Sequence, residues 1–257
     1  MIGRTTRAIA ATTAIAFVPA CSFSPVNHRI KVGEEPFIVF VGEGIDHHTD
    51  IFAVPAGGGS VAQVTFTPLI EKGPRLSPTG EVVAFLRMRD TRPGAHRDVV
   101  LMNLLGGGEV TLTLPAEAGA PKVVTWSPNA RTLYIRTDHG DWQAAAPPAE
   151  PLVTAVPAAE TARVDSALDV WLGEPRFARV IACASGGLCI VGPKRDTTAL
   201  APEGRDPIRW GSDSVAWFQP GGMIVRSLGP GRERRITWTN GPEHPREASY
   251  AAGPPGP

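Results

Sequence analysis

Two pairs of segments in this chain repeat each other without gaps, and no other sequence feature constrains the fold as strongly. Residues 50–66 align with residues 98–114 at a spacing of 48, and residues 76–85 align with residues 126–135 at a spacing of 50. The first pair reads as strand, glycine turn, strand, and the second as a Ser-Pro turn leading into a β-branched and aromatic strand. Units of about 40 residues with four antiparallel strands are typical of the blades of a β-propeller.

The number of repeat units predicts the number of blades. We delimit five units, the last of which contains a weaker copy of the turn-and-strand segment at residues 210–217. Their approximate bounds are 36–67, 74–115, 122–157, 162–203 and 207–240. A six-bladed ring is the alternative, and it would need a further blade in the Ala/Pro-rich stretch 144–162. The sequence therefore predicts an all-β fold, a propeller of five four-stranded antiparallel blades over residues 36–240.

The first twenty residues have the order of a secretory signal. Two arginines precede an apolar stretch, residues 8–18, which is followed by Val-Pro-Ala-Cys ending at Cys21. The apolar stretch is too short to cross a bilayer, which needs about twenty residues as a helix. Because Val-Pro-Ala-Cys resembles the bacterial lipobox, we expect residues 1–20 to be removed and Cys21 to be lipidated, with residues 21–35 forming a tether. Ordinary secretory cleavage, with Cys21 as a chance thiol, is the alternative.

The C-terminal segment, residues 241–257, contains few large apolar side chains and five prolines. Such a segment buries too little surface to offset the entropy of ordering, so a flexible tail is expected. The alternative is that residues 247–251 pair with the first blade and close the ring.

The charge balance narrows the classes of partner. The chain has 25 basic and 25 acidic residues and a formal net charge of zero. A neutral chain creates no long-range field that would attract a nucleic acid or hold the protein on a membrane. We therefore expect no nucleic-acid partner, and contact with the membrane only through the lipid anchor.

The repeats resemble a known family. Residues 77–80 and 127–130 precede strands like Val-Ala-Phe, and together with residues 98–103 and the Gly-Gly turns they are similar to the repeats of TolB-type propellers, which are related in shape to WD-repeat proteins. The resemblance covers about residues 36–240. The TolB repeat usually carries Asp-Gly after Ser-Pro, whereas Thr79 and Asn129 stand at that Asp position here. The resemblance implies the propeller fold, and it gives little ground for assigning a Tol-Pal role.

Polar side chains concentrate in the predicted loops between the second and third strands of the first three blades. In a propeller these loops lie on one face of the disc, so residues distant in sequence can meet there, and WD-type propellers commonly bind partners on that face. The candidate binding residues are Asp46, His47, His48, Asp50, Arg92, His96, Arg97, Asp138 and His139. The alternative is that these long loops are polar only because they are solvated.

Two sharper interpretations of the acidic and histidine residues are less well supported. Asp46, His47, His48 and Asp50 have side chains of the right type for zinc, but adjacent residues of an extended loop point in opposite directions, so we expect no metal site. A glycan-active hydrolase would need two carboxylates flanking an axial funnel, and the acids here lie mostly in loops. No Gly-x-Ser-x-Gly motif and no phosphate-binding loop occurs. We therefore expect no catalytic residue and no cofactor.

Cys183 and Cys189 flank a predicted Gly-Gly turn in the fourth blade. A three-residue loop, residues 185–187, would place Cys183 directly across from Cys189, close enough for a disulfide. A two-residue turn would place the two sulfurs on opposite faces. Export to an oxidising compartment favours the bonded register, and two small buried thiols are the alternative.

Taken together, these features predict a non-catalytic binding or scaffolding lipoprotein of the bacterial cell envelope. We expect a monomer, exported and lipid-anchored on the outside of the cytoplasmic membrane or in the periplasm. Its partner would be an envelope protein or a cell-wall polymer, bound by the loops of one propeller face. An extracytoplasmic glycan-active hydrolase is the alternative.

Overall fold

The computed structural model describes residues 26, 29–44, 48–92, 94–147, 151–168, 180–191, 197–210, 214–228 and 233–251. These residues form five separate β-sheets, and within each sheet consecutive strands pair in antiparallel order. The strands are short and joined by tight turns, as expected from the scattered glycines and prolines. Among the described residues, no helix is long and apolar enough to span a membrane.

The first two sheets contain the strands of the first aligned repeat. The first sheet contains β1 (Phe37–Glu43), β2 (Thr49–Pro55) and β4 (Ala62–Gln63), and the two-residue strand β3 (Gly59–Ser60) precedes β4. The second sheet contains β5 (Ile70–Leu76), β6 (Val82–Met88), β7 (Arg97–Asn103) and β8 (Glu109–Leu112). The cross-strand pair Phe52–Gln63 in the first sheet corresponds to Val100–Thr111 in the second, with both members shifted by 48 positions. The repeat seen in the sequence is therefore a repeat of strand register.

The third sheet and a short helix follow. The sheet contains β9 (Pro121–Trp126), β10 (Thr132–Thr137), β11 (Gly140–Ala145) and β12 (Val153–Ala155), and helix α1 spans Thr161–Leu168. Val164 and Ala167 of the helix pack on Tyr134, and Asp165 forms an ion pair with Arg136 at 2.5 Å. The helix is thereby held against the third blade, beside the innermost strand β9.

The last two sheets complete the set. The fourth contains β13 (Val180–Ala182), β14 (Leu188–Val191) and β15 (Thr197–Ala201). The fifth contains β16 (Arg205–Trp210), β17 (Ser214–Gln219), β18 (Gly222–Ser227) and β19 (Glu233–Thr239). The fourth sheet has three strands in the described part of the chain, and β3 adds a parallel fifth strand at the outer edge of the fifth sheet.

The last strand closes the ring. Strand β20 (Glu243–Ala251) pairs antiparallel with β1, and it takes the first position in a sheet of order β20-β1-β2-β4. Gly42 makes the approach possible, since a Cβ atom there would lie 2.1 Å from Cγ of Pro242. For residues 247–251 the structure therefore shows the pairing with the first blade instead of a loose tail. Each end of the propeller contributes strands to one shared blade.

The core lies between neighbouring sheets, and alternate residues of one strand belong to different clusters. Val83 and Phe85 of β6 pack with the first blade, whereas Val82, Ala84 and Leu86 pack with the third. A strand with both faces buried in this way is expected where sheets stack around an axis. Further apolar clusters join the fifth blade to the first and the fourth to the fifth. The protein is a five-bladed β-propeller, so the predicted fold class and blade number are confirmed.

The Ser-Pro repeats form the turns between the first and second strands of two blades. In the second blade the Ser77 amide donates to the Val82 carbonyl at 2.8 Å, and the Ser77 hydroxyl accepts from the Val82 amide at 3.2 Å. Ser127 makes the same pair of bonds with Thr132. Each serine therefore fastens the turn to the start of the next strand, which explains why Ser-Pro recurs at this spacing.

Candidate binding face and axial channel

Three loops between second and third strands lie on the same face of the propeller. Their described residues are 44 and 48 in the first blade, 89–92 and 94–96 in the second, and 138–139 in the third, and we call the face that they form the loop face. The Ser-Pro turns, residues 77–80 and 127–130, lie on the opposite face, which we call the turn face. Among the predicted site residues, Cys21, Asp46 and His47 lie outside the described residues.

The loop of the second blade contains exposed charged side chains. The Arg92 side chain is 83% exposed and pairs with Asp90 at 2.5 Å, and the His96 side chain is 84% exposed and pairs with Asp98 at 2.8 Å. Hydrogen bonds from the side chain and backbone of Arg92 hold the pKa of Asp90 below its usual value. Such exposed pairs contribute little to stability. Their side chains are therefore available to a partner at small cost to the fold.

Contacts with the segment around the start of β9 hold the loop of the third blade. Asp138 accepts a hydrogen bond from the Ala120 amide at 3.2 Å and pairs with Lys122 at 2.9 Å. One ring nitrogen of His139, Nδ1, lies 3.0 Å from the Glu117 carbonyl oxygen. Gly119 permits this packing, because its φ is +72° and a Cβ atom there would lie 3.0 Å from Cβ of Asp138. These contacts hold Asp138 and His139 in place on the loop face.

Three of the predicted residues are not freely solvated loop side chains. Asp50 is a residue of β2 and is 2% exposed, so its assignment to an exposed binding face is wrong. Its carboxylate accepts hydrogen bonds from the Gln63 side chain at 2.9 Å and the Thr67 amide at 3.3 Å. Arg97 begins β7, and its Nη1 donates to the Pro121 carbonyl at 3.3 Å. His48 is half-buried where the first loop meets β2, and its carbonyl accepts the Gly44 amide at 2.8 Å.

A buried polar network lies beneath the loop face and was not predicted from the sequence. Glu71 is fully buried, and its carboxylate accepts hydrogen bonds from the hydroxyls of Thr65 and Thr67. Arg87 pairs with Glu71 at 2.8 Å and with Glu109 at 2.7 Å. Burial raises the pKa of Glu71, and the bonds from Thr65 and Arg87 oppose this shift only in part. The network joins the first and second blades, so it fixes the bases of their loops.

Four of the five innermost strands line a cavity along the propeller axis. Its volume is about 1160 Å³, and it is lined by residues of β5, β9, β16 and β20 together with α1. Charged residues line it as well: Lys72, Arg75, Arg97, Lys122, Asp206 and Glu247. Lys72 and Lys122 lie near the starts of β5 and β9. These starts pair with the ends of β6 and β10, from which the chain enters the loops of the loop face. The cationic part of this axial channel therefore meets the loop face.

Within the part of the chain that the structure describes, the lining of the axial channel does not present the carboxylate pair of a glycosidase. Asp206 and Glu247 are the acids that line it within the described residues. Asp206 is exposed to solvent, and Glu247 accepts the Gly73 amide at 2.6 Å. A general acid of this type needs a carboxyl shielded in an apolar pocket. Asp206 therefore lacks the environment of a general acid. The hydrogen bond from the Gly73 amide gives Glu247 a role in joining β20 to β5.

Comparison with known proteins gives matches among solved structures. No family model matches the chain, and no curated protein matches it significantly. TolB structures are among those that do match. TolB from Acinetobacter baumannii is 10% identical, with a TM-score of 0.41, and the match covers 88% of this chain and 69% of that one.

Two other similar structures are of different kinds of protein. A chain of a nidogen/laminin complex is 12% identical with a TM-score of 0.49, covering 84% of this chain and 98% of that one. The tricorn protease is 15% identical with a TM-score of 0.37, covering 84% of this chain and 24% of that one. At these identities the likeness is one of fold alone.

Proposed function

We propose that this protein is an exported, non-catalytic binding module of the cell envelope that takes its partner on the loop face. The observation that carries the proposal is the placement of Arg92, His96 and His139. They come from two neighbouring blades, lie on one face and are exposed. Long polar loops placed on a rigid scaffold are common positions for binding residues. An envelope protein or a cell-wall polymer fits this surface.

The disulfide supports an extracytoplasmic location. Cys183 and Cys189 are bonded in the fourth blade, and disulfides persist in oxidising compartments such as the periplasm. Lipidation of Cys21 would hold the propeller at the membrane surface and would leave the loop face free. In this arrangement the propeller acts as an anchored scaffold and needs no cofactor.

Alanine substitution on the two faces tests the proposal. The variant Arg92→Ala/His96→Ala/His139→Ala should capture less of the partner in crosslinked cells, with the melting temperature nearly unchanged because all three side chains are exposed. The matched control is Glu81→Ala/Arg131→Ala, which removes two exposed charges next to the turn face. Equal capture by the wild type and both variants would contradict the proposal and would mean that these loops are polar only because they are solvated.

A further inference from the structure

The axial channel has an excess of positive charge. Among the described residues that line it, four are cationic and two are acidic, and both acids lie on the strands β16 and β20. The cations lie on β5, β7 and β9, and Glu247 of β20 lies beside them, because its carboxylate accepts the Gly73 amide of β5 at 2.6 Å. With four cations and two acids the lining has a net positive charge, which favours an anion inside the channel.

Arg75 is the most informative of these cations. Its Nη1 donates to the carbonyl of the preceding residue, Pro74, at 3.0 Å, and no carboxylate among the described residues forms an ion pair with it. A guanidinium has five N–H donors, so most of its capacity is unused by these contacts. Burial lowers the pKa of Arg75, and the charge of Glu247 opposes this shift. A cation held in this way gains more from an incoming anion than an exposed cation does.

Two further cations are available nearby. Lys72 lies three positions before Arg75 on the same strand, and it has no ion pair with any described residue. Arg97 makes one hydrogen bond to a backbone carbonyl, while its Nε atom is buried without a hydrogen-bond partner in the described part of the chain. Lys122, by contrast, is engaged with Asp138. Three cationic groups thus have donors to spare along one wall of the channel.

The rest of the lining is suited to the carbon skeleton of a small molecule. Trp126 and Tyr250 line the channel together with Leu86 and Met88. The Trp126 indole is fixed, because its Nε1 donates to the Arg75 carbonyl at 2.8 Å. Ligand sites usually combine such apolar walls with a few placed polar groups in a volume of roughly 300 to 1,000 Å³. A cavity of about 1160 Å³ has room for an organic molecule of metabolite size.

We propose that the axial channel binds a small organic anion with two or more carboxylate or phosphate groups, held by Lys72, Arg75 and Arg97. Arg75 forms the deepest contact, and its planar guanidinium suits bidentate binding of either group. Lys72 and Arg97 bind the second charged group. The site uses none of Arg92, His96 and His139, so it is distinct from the partner surface proposed for the loop face.

Isothermal titration of the soluble Cys21→Ser protein at low salt tests this site. Citrate and inorganic pyrophosphate are the probes, one for each acidic group, and glucose is the uncharged control. At least one of the two anions should bind in the millimolar range or tighter, and glucose should not bind. Lys72→Gln and Arg75→Gln should each weaken binding roughly tenfold, the usual effect of losing a hydrogen bond to a charged group. The control variant Arg131→Gln, exposed at the turn face, should bind as the wild type does.

The two arms of the titration separate the sources of negative charge. Binding of citrate alone assigns the site to carboxylates, and binding of pyrophosphate alone assigns it to phosphates. Absence of binding by both probes would overturn the proposal, as would binding that Lys72→Gln leaves unchanged. Should Arg75→Gln fail to fold, Lys72→Glu replaces it and should abolish binding altogether. None of these results bears on capture of a partner by the loop face.

Discussion

Cys183 and Cys189 lie diagonally across the hairpin of the fourth blade, with their Cα atoms 5.2 Å apart. Cys189 is directly opposite Ile181, and the Cys183 amide donates to the Gly187 carbonyl at 2.9 Å. The loop has three residues, 184–186, one position earlier than the predicted loop 185–187. The disulfide expected from the sequence is present, but the predicted register is wrong. Positive φ values at Gly186 and Gly187 allow the chain to turn before Leu188.

Removing this disulfide should lower stability without preventing folding. The closed loop is short, so the entropic contribution to the free energy of unfolding is about 2 kcal/mol. Cys183→Ser/Cys189→Ser should therefore unfold in urea at a lower midpoint with an unchanged slope. Thiol titration of the denatured, unreduced wild type should find neither cysteine free. Two free thiols from this hairpin would contradict the bond.

In this hairpin the sequence pattern predicts the turn and the possible disulfide, but it does not predict the register. A Gly-Gly pair between two apolar runs predicts the turn, and the spacing of six between the cysteines makes a bond feasible. Neither observation chooses between adjacent three-residue loops, because that choice depends on how the hairpin packs in its blade. Leu188 is buried in the cluster that joins the fourth and fifth blades. Packing of this residue is a long-range contact that local spacing does not report.

The buried carboxyl of Glu71 should give the protein a pH-dependent stability. Burial raises its pKa above the ordinary value of 4.5, so between these two pKa values the folded chain binds more protons than the unfolded chain. The free energy of unfolding should therefore fall as the pH rises through this window. Glu71→Gln should remove this component of the slope, measured by urea unfolding between the acidic range and neutrality.

The matched control for this measurement is Glu109→Gln. Glu109 pairs with the same arginine, Arg87, but its side chain is 32% exposed. Its replacement should lower stability slightly and leave the pH slope in place. Parallel profiles for the wild type and Glu71→Gln would show that Glu71 titrates alike in the folded and unfolded chains.

Closure of the ring should be sensitive to a single methyl group at Gly42. A Cβ atom there would lie 2.1 Å from Cγ of Pro242, so Gly42→Ala must push β20 away from β1. We expect a loss of about 1 to 3 kcal/mol, the usual range for overpacking, measured by thermal or urea unfolding. Gly57→Ala is the control, because nothing lies within 4 Å of a Cβ atom there. Equal stability of the two variants would contradict closure through this contact.

The lipid anchor predicted at Cys21 can be tested by fractionation. The Cys21→Ser protein should leave the membrane fraction and appear soluble outside the cytoplasm, while the wild type stays with the membranes. Metabolic labelling with a palmitate analogue should mark the wild type only. Unchanged membrane association of the variant would mean that the Val-Pro-Ala-Cys sequence is not read as a lipobox.

The repeat predicted the architecture well, and it predicted the site less well. Strand register follows from local patterns, so residues 50–66 and 98–114 already contain it. The buried network around Glu71 and Arg87 does not follow, because Thr65, Asp50 and Glu109 come from three separated segments. Asp50 illustrates the difficulty. It follows a polar loop in the sequence, yet its carboxylate is buried and accepts hydrogen bonds from Gln63 and Thr67. Lys72 and Arg75 are charged residues within β5, a strand that is otherwise largely buried, and this pattern is a signal in the sequence for the cationic part of the channel.

We propose that the loop face, and not the turn face, takes the partner. A photoreactive amino acid placed at His96 or His139 reports on the loop face. One placed at Glu81 or Arg131 reports on the turn face of the same two blades. All four positions are exposed. After irradiation of intact cells, one partner, identified by mass spectrometry, should be captured from His96 and His139 and not from Glu81 or Arg131. Capture of that partner from the turn face alone, or equally from all four positions, would contradict binding by the loop face.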